Sequence, residues 1–181
     1  METSAAKDKN AALQKFIKPL PTSLSNFEAI GAICESSPWL ARRMLRAIGS
    51  EIRPILELGA GFGSITSVLP KDAVSLEREI IRYNYLKESF PDRQILEDCA
   101  LAYLSNLAKP TVVVSCIPSV NNSEFRNLRS CVSLAYKAGL IPKLITYTYF
   151  LHNPFANVFE KSEVVGIEIF NFPPAFVWRY S

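Results

Sequence analysis

The run Ile55-Leu56-Glu57-Leu58-Gly59-Ala60-Gly61-Phe62-Gly63 constrains this chain more than any other stretch. An apolar segment carrying an acid runs into three glycines at alternate positions. Such a segment reads as a short buried strand that delivers Glu57 to the rim of a sheet. Glycine lets the chain beyond it turn sharply and pass closer to a ligand than a Cβ would permit. A dinucleotide fingerprint would space its glycines G-x-G-x-x-G, whereas the order here is E-x-G-x-G-x-G. The spacing suits a nucleoside cofactor of a different kind.

Around this loop the elements alternate. Strand-like runs occur at 55–58, 73–76, 94–96, 111–115, 144–150, 164–170 and 175–180, with helical patterns at 64–69, 79–89, 100–107 and 123–138 between the earlier ones. Ser36-Ser37-Pro38 has the form of a helix start, with serine as cap and proline in the first turn, and leads into a helix over 39–48. Strand–helix alternation predicts a parallel sheet with helices on both faces. The last two strands, separated only by residues 171–174, predict a terminal antiparallel hairpin. With 181 residues and 49% hydrophobic content the chain can build one substantial core but not two ordinary domains. The expected division is a mobile N-terminus with an amphipathic segment over 1–27 and one domain over 28–181. Within the former, residues 11–18 place Leu13, Phe16 and Ile17 on one side of a short helix that Pro19 and Pro21 end.

Composition excludes several classes of chemistry. Cys34, Cys99, Cys116 and Cys131 form neither a CxxC pair nor a His/Cys metal pattern, and read as reduced thiols of a cytoplasmic protein without a metal. No leader pattern opens the chain, and no apolar run approaches the ~20 residues that span a bilayer. The net charge is +3, and the excess of bases lies before residue 55: Lys7, Lys9, Lys15, Lys18, Arg42, Arg43, Arg46 and Arg53. That excess suits an anionic partner, a lipid surface or a nucleic acid, or else a solvated face without a partner.

The E-x-G-x-G-x-G run resembles motif I of the class I S-adenosylmethionine-dependent methyltransferases. The resemblance implies a Rossmann-like α/β fold with a seven-stranded sheet, and S-adenosylmethionine as cofactor. It assigns Glu57, Gly59, Gly61 and Gly63 to the loop around the amino-acid end of the cofactor. Glu77, which closes the next strand-like run, falls where the family holds the ribose hydroxyls, and Asp98 with Cys99 falls near the adenine amino group. Read without the resemblance, Glu77 could instead pair with Arg78 or Arg82 on a solvated helix.

Two further segments narrow the likeness. The stretch from Glu28 to Ala41, E-A-I-G-A-I-C-E-S-S-P-W-L-A, and the tail N-F-P-P-A-F-V-W-R-Y from Asn171 to Tyr180 resemble the opening and closing motifs of the soluble bacterial phospholipid N-methyltransferases. That resemblance implies methyl transfer to the amine of an aminophospholipid such as phosphatidylethanolamine, by an enzyme peripheral to an anionic inner membrane surface. Ser115 and the carbonyls of Cys116 and Ile117, in the exit of the fourth strand, become the groups expected to contact the amine. Arg179 is expected to hold the lipid phosphate and Tyr180 to line the pocket, against the alternative of a core aromatic ladder beside a surface arginine. Two positions depart from the family: Glu35 replaces a proline, and Cys-Ile-Pro-Ser-Val replaces Gly-Leu-Pro followed by an aromatic. The missing aromatic after Pro118 argues against a stacked nucleobase and so against a nucleic-acid partner. An RNA adenine N-methyltransferase, and an inactive cofactor- or lipid-binding module of the same fold, are the alternatives. Lone His152 reads as satisfied or solvent-facing rather than catalytic.

Overall fold

The computed structural model describes residues 36–50 and 54–181. The expected segments at 1–27 and 28–35, with Cys34 and Glu35, lie outside the described residues. The elements in chain order are α1 (Pro38–Ile48), β1 (Ile55–Leu58), β2 (Val74–Glu77), α2 (Ile80–Ser89), β3 (Gln94–Glu97), α3 (Ala100–Ser105), β4 (Val112–Ser115), α4 (Phe125–Lys137), β5 (Lys143–Thr148), β6 (Ser162–Glu168) and β7 (Ala175–Tyr180). They build one seven-stranded sheet in the order β3-β2-β1-β4-β5-β7-β6. β1 to β5 pair in parallel, and β7 is antiparallel to both β5 and β6.

The central strands are short and almost wholly apolar because both of their faces are covered. Leu56, Leu58, Leu76, Val113, Leu144, Trp178 and Tyr180 meet Leu104 of α3 and Phe125, Leu128, Val132 and Ala135 of α4 on one face. The alternate residues Ile55, Val112, Val114, Ile145 and Val177 meet Leu40, Ala41, Met44, Ala47 and Ile48 of α1 on the other. Each fully buried aliphatic side chain of this kind contributes about 1.5–3 kcal/mol. The period of two along the strands thus decides which helices lie on which face.

Local signals fix the helix ends. Ser37 caps α1 by accepting from the Leu40 amide at 3.2 Å, with Pro38 in the first turn. Glu79 caps α2 through the amides of Ile81 and Arg82. One expected helix is absent: residues 64–69 form a series of turns. The segment is too short to repay helix nucleation, Ile65, Thr66 and Val68 are β-branched, and Pro70 ends it. Thr66 turns its hydroxyl inward to Glu57 instead, at 2.6 Å.

Candidate functional site

Parallel strands end together, so the loops that follow β1, β2, β3 and β4 converge on one edge of the sheet. There the backbone ties the loops to one another: Gly59 and Ala60 amides donate to the Leu76 carbonyl at 3.0 and 2.9 Å, Asp98 N–H to Glu77 O, and Cys116 N–H to Leu58 O. The result is a cleft of about 200 Å³. Gly59, Glu77, Asp98 and Cys99 line it together with Cys116, Ile117 and Pro118, and so do Arg78, Arg82, Asn122 and Glu124. Ligand pockets commonly run to about 300–1,000 Å³, so this cleft is a small one.

Each predicted site residue has a definite place. Glu77 is buried, and its carboxylate accepts from the Gly61 amide at 2.8 Å and the Glu79 amide at 3.0 Å. It therefore shapes the glycine loop while lining the cleft. It does not pair with Arg78 or Arg82, whose partners are Glu124 and Glu79. Asp98 accepts from the Cys99 amide at 2.6 Å. Gly61 has φ +60°, and a Cβ there would meet nothing within 4 Å, so this stretch of backbone is bare toward open space. Gly63 is different in kind. A Cβ on it would lie 2.4 Å from Phe90 Cε2 and 2.8 Å from Leu86 Cδ2, so its role is to let α2 close on the loop.

Glu57 does not reach the rim. It is fully buried on the face opposite Leu56 and Leu58, and Oε2 accepts from the hydroxyls of Thr66 and Ser75, both at 2.6 Å. Burial pushes its carboxyl above the usual range, and the two hydroxyls pull the other way. Its other oxygen faces Cys116 Sγ at 4.0 Å. Burial and then the neighbouring Glu57 raise the Cys116 thiol well above its ordinary value, so this sulfur stays protonated and is no nucleophile. Glu57 thus pins the turns after the glycine loop to β2, and it is not among the residues that line the cleft.

The acceptor residues also need correction. Ser115, expected to contact the amine, is the last residue of β4, completely buried and absent from the cleft wall. Strand pairing aligns it with Leu58 and Thr146, and its buried hydroxyl has no hydrogen-bond partner among the described residues. The chain first meets the cleft at Cys116, and Cys116, Ile117 and Pro118 line it, with only Pro118 of the three exposed. Ser119 Oγ lies 2.9 Å from His152 Nε2, joining the loops after β4 and β5. Arg179 and Tyr180 do not line this cleft. The Arg179 guanidinium is held by Glu163 at 2.9 Å, and Tyr180 is buried against Phe155, Phe159 and Trp178 with its hydroxyl on Asn153 Oδ1 at 2.8 Å. Period-two alternation along β7 put the aromatic residues in the core and left Arg179 to a neighbouring strand. Among the described residues no cluster of His, Cys, Asp and Glu could hold a metal ion.

No family model matches the sequence, and no curated protein matches it. Solved structures do match in fold. A dimethyladenosine transferase from Plasmodium falciparum superposes with a TM-score of 0.56 at 16% identity, over 80% of this chain and 61% of that one. The 23S rRNA methyltransferase ErmE gives 0.56 at 17% identity, over 81% and 68%. A precorrin-6y C5,15-methyltransferase from Geobacter metallireducens gives 0.55 at 14% identity, over 78% and 86%.

The chain has the class I methyltransferase fold.

It spans about three fifths of the Plasmodium enzyme's length. Sequence reasoning missed Asn122 and Glu124 as walls of the cleft in this methyltransferase fold. Asn122 Nδ2 donates to the Pro118 carbonyl and its Oδ1 accepts from Glu124 N–H, folding the loop back on itself. The Asn121-Asn122-Ser123 run before α4 was the available signal, since such residues bind their own backbone in turns.

Proposed function

We propose that this chain is an S-adenosylmethionine-dependent N-methyltransferase that acts on the amine of an aminophospholipid such as phosphatidylethanolamine. The observation that carries the reading is the convergence of Gly59, Glu77 and Asp98 on one wall of a cleft whose other wall is Cys116 to Pro118. These residues fit the cofactor. The bare backbone at Gly61 leaves room beside the cleft, the Glu77 carboxylate suits ribose hydroxyls, and Asp98 suits an exocyclic amine. S-adenosylmethionine, when bound, supplies a methyl group on a sulfonium.

The chain's own task is to orient an amine and exclude water around it. The carbonyls of Cys116 and Ile117, in residues that line the cleft, are the acceptors this reading assigns to its N–H groups. The proton of the ammonium form leaves to water or to the lipid phosphate, and the His152 imidazole is engaged by Ser119.

A second reading, an RNA adenine N-methyltransferase, gains from the fold. Of the superposed structures, one is by name a 23S rRNA methyltransferase and another a dimethyladenosine transferase, which weighs against the expectation of no nucleic-acid partner. Against it stands Ser119, which offers no ring on which a base could stack.

One experiment separates the readings. Purified chain is given methyl-labelled S-adenosylmethionine with phosphatidylethanolamine vesicles and, separately, with structured RNA. Label should enter the lipid, and Gly61→Arg should abolish it along with the melting shift caused by S-adenosylhomocysteine. Label in RNA alone reverses the assignment of acceptor. An undiminished melting shift in Gly61→Arg removes the cofactor assignment.

A further inference from the structure

The edge of the sheet that carries the cleft continues past β5 into an apolar rim. β7 runs antiparallel to β5, with Phe176 opposite Thr148, so the 169–174 turn lies at the same edge as the loop that follows β5. The start of α1 lies there too. Ser37 N–H donates to Asn171 Oδ1 at 2.8 Å, Ser36 Oγ to Tyr147 Oη at 3.2 Å, and the Trp39 and Phe170 ring centroids are 6.1 Å apart. Trp39, Leu151, Ile169, Phe170 and Phe172 are between 52% and 80% exposed. Five large apolar side chains at one edge are more than the scatter of single hydrophobic residues that any surface carries.

Their neighbours give the rim a sign. α1 has no acidic residue, and its outward stripe of Trp39, Arg42 and Arg46 places a guanidinium over an indole, with Arg42 Cζ 5.5 Å from the Trp39 ring centre. Rim acid Glu168 is already held by Arg43. An indole with a cation one turn behind it matches the boundary of a bilayer, where apolar side chains enter the acyl region and bases meet anionic headgroups. The rim is also continuous with the acceptor side of the cleft through the Ser119–His152 contact.

We infer that this rim, formed by Trp39, Leu151 and the 169–172 turn with Arg42 behind it, is a docking surface for a bilayer containing anionic phospholipid. The inference rests on the aminolipid reading and names the surface by which such an enzyme would reach its substrate without a lipid leaving the membrane.

The test uses the full chain with the buried Trp178 changed to Phe, so that Trp39 is the sole indole. Vesicles of phosphatidylcholine with and without phosphatidylglycerol, and with brominated acyl chains, are the probes. Trp39 fluorescence should be quenched by the brominated lipid, more so with phosphatidylglycerol present. Leu151→Ser with Phe170→Ser should lower vesicle sedimentation at least about tenfold, since each side chain withdrawn from water is worth about that factor. Ile169→Ser with Phe172→Ser should act alike, which guards against one pair failing to fold. Arg42→Glu should remove the preference for anionic vesicles. Retained melting shifts with S-adenosylhomocysteine would show that the variants keep the cleft. Unquenched Trp39, unchanged sedimentation of both serine pairs, or a Trp39 response to RNA but not to vesicles overturns the inference. A chain that sediments normally yet transfers no methyl to lipid instead defeats the aminolipid reading and leaves the surface standing.

Discussion

The glycines of one loop have separate physical jobs, and substitution distinguishes them. Gly63→Ala combines a φ of +89° with a Cβ driven into Phe90 and Leu86. Left-handed strain and overpacking together should cost about 2–4 kcal/mol of stability. Gly61→Ala carries only the strain of φ +60° and should cost about 1–2 kcal/mol. Urea denaturation of the two variants checks the order; equal losses would mean that α2 yields to the new methyl group. Glu57 gives a second residue-level expectation. Its folded carboxyl lies above the ordinary value of 4.5, chiefly through burial. As pH rises from there, the unfolded chain ionises first, so the favourable contribution of the neutral buried acid is lost until the pH has passed its folded value. Glu57→Gln keeps an acceptor for Thr66 and Ser75 and cannot ionise. The difference in stability between wild type and Glu57→Gln, followed by urea titration from about pH 4 to 8, should therefore shift in favour of the variant as pH rises. A difference independent of pH would show that Glu57 titrates alike in both states.

At the level of elements, legibility followed burial. The strands were readable because Ile55 to Leu58 and Val112 to Ser115 are buried on both faces and are therefore apolar except at Glu57 and Ser115. The start of α1 was readable because Ser37 and Pro38 act through neighbouring backbone alone. The turns at 64–69 were not, because what holds Thr66 there is Glu57, reached by a loop closure rather than by local propensity. Likewise, nothing local in β4 says that Ser115 stops short of the cleft and Cys116 enters it; the pairing of β4 with β1 and β5 decides that. The same dependence on distant partners governs the Arg78–Glu124 ion pair, which ties the loop after β2 to the start of α4 at 2.5 Å. Both side chains are more than half exposed, so the pair contributes at most about 1 kcal/mol to stability. Both residues nonetheless line the cleft. Glu124→Gln should leave the melting temperature nearly unchanged while speeding both association and dissociation of S-adenosylhomocysteine, as read by stopped-flow kinetics. A large loss of stability with unaltered rates would show the pair to be structural.

Across the whole molecule, α1 is the element that joins the buried core to the exposed rim. Its inner side packs Leu40, Met44 and Ile48 on the sheet, and its first turn carries Trp39. Besides the Ser37–Asn171 hydrogen bond, Arg43 ties it to the outer strands, its Nε donating to Glu168 Oε2 at 3.1 Å. Gly166 makes room for that guanidinium, since a Cβ there would come within 2.4 Å of Nη1. Glu168 is nearly enclosed, with its other oxygen accepting from Phe170 N–H, whereas Arg43 is about one-third exposed. Removing the arginine therefore leaves a buried carboxylate facing no cation, a loss of about 3–5 kcal/mol for a fully buried pair and about 1–3 kcal/mol here, where solvent reaches one partner. Glu168→Gln should cost less, because the amide oxygen can keep the Phe170 bond and a freed arginine can turn to water. Arg43→Ala combined with Glu168→Gln should then be more stable than the sum of the single losses predicts, because the second change removes the stranded charge. Urea midpoints for the wild type, both single variants and the double variant complete the cycle. Strict additivity would mean that the pair contributes no coupling, and that apolar packing and the Ser37–Asn171 hydrogen bond hold α1, and Trp39 with it, to the sheet.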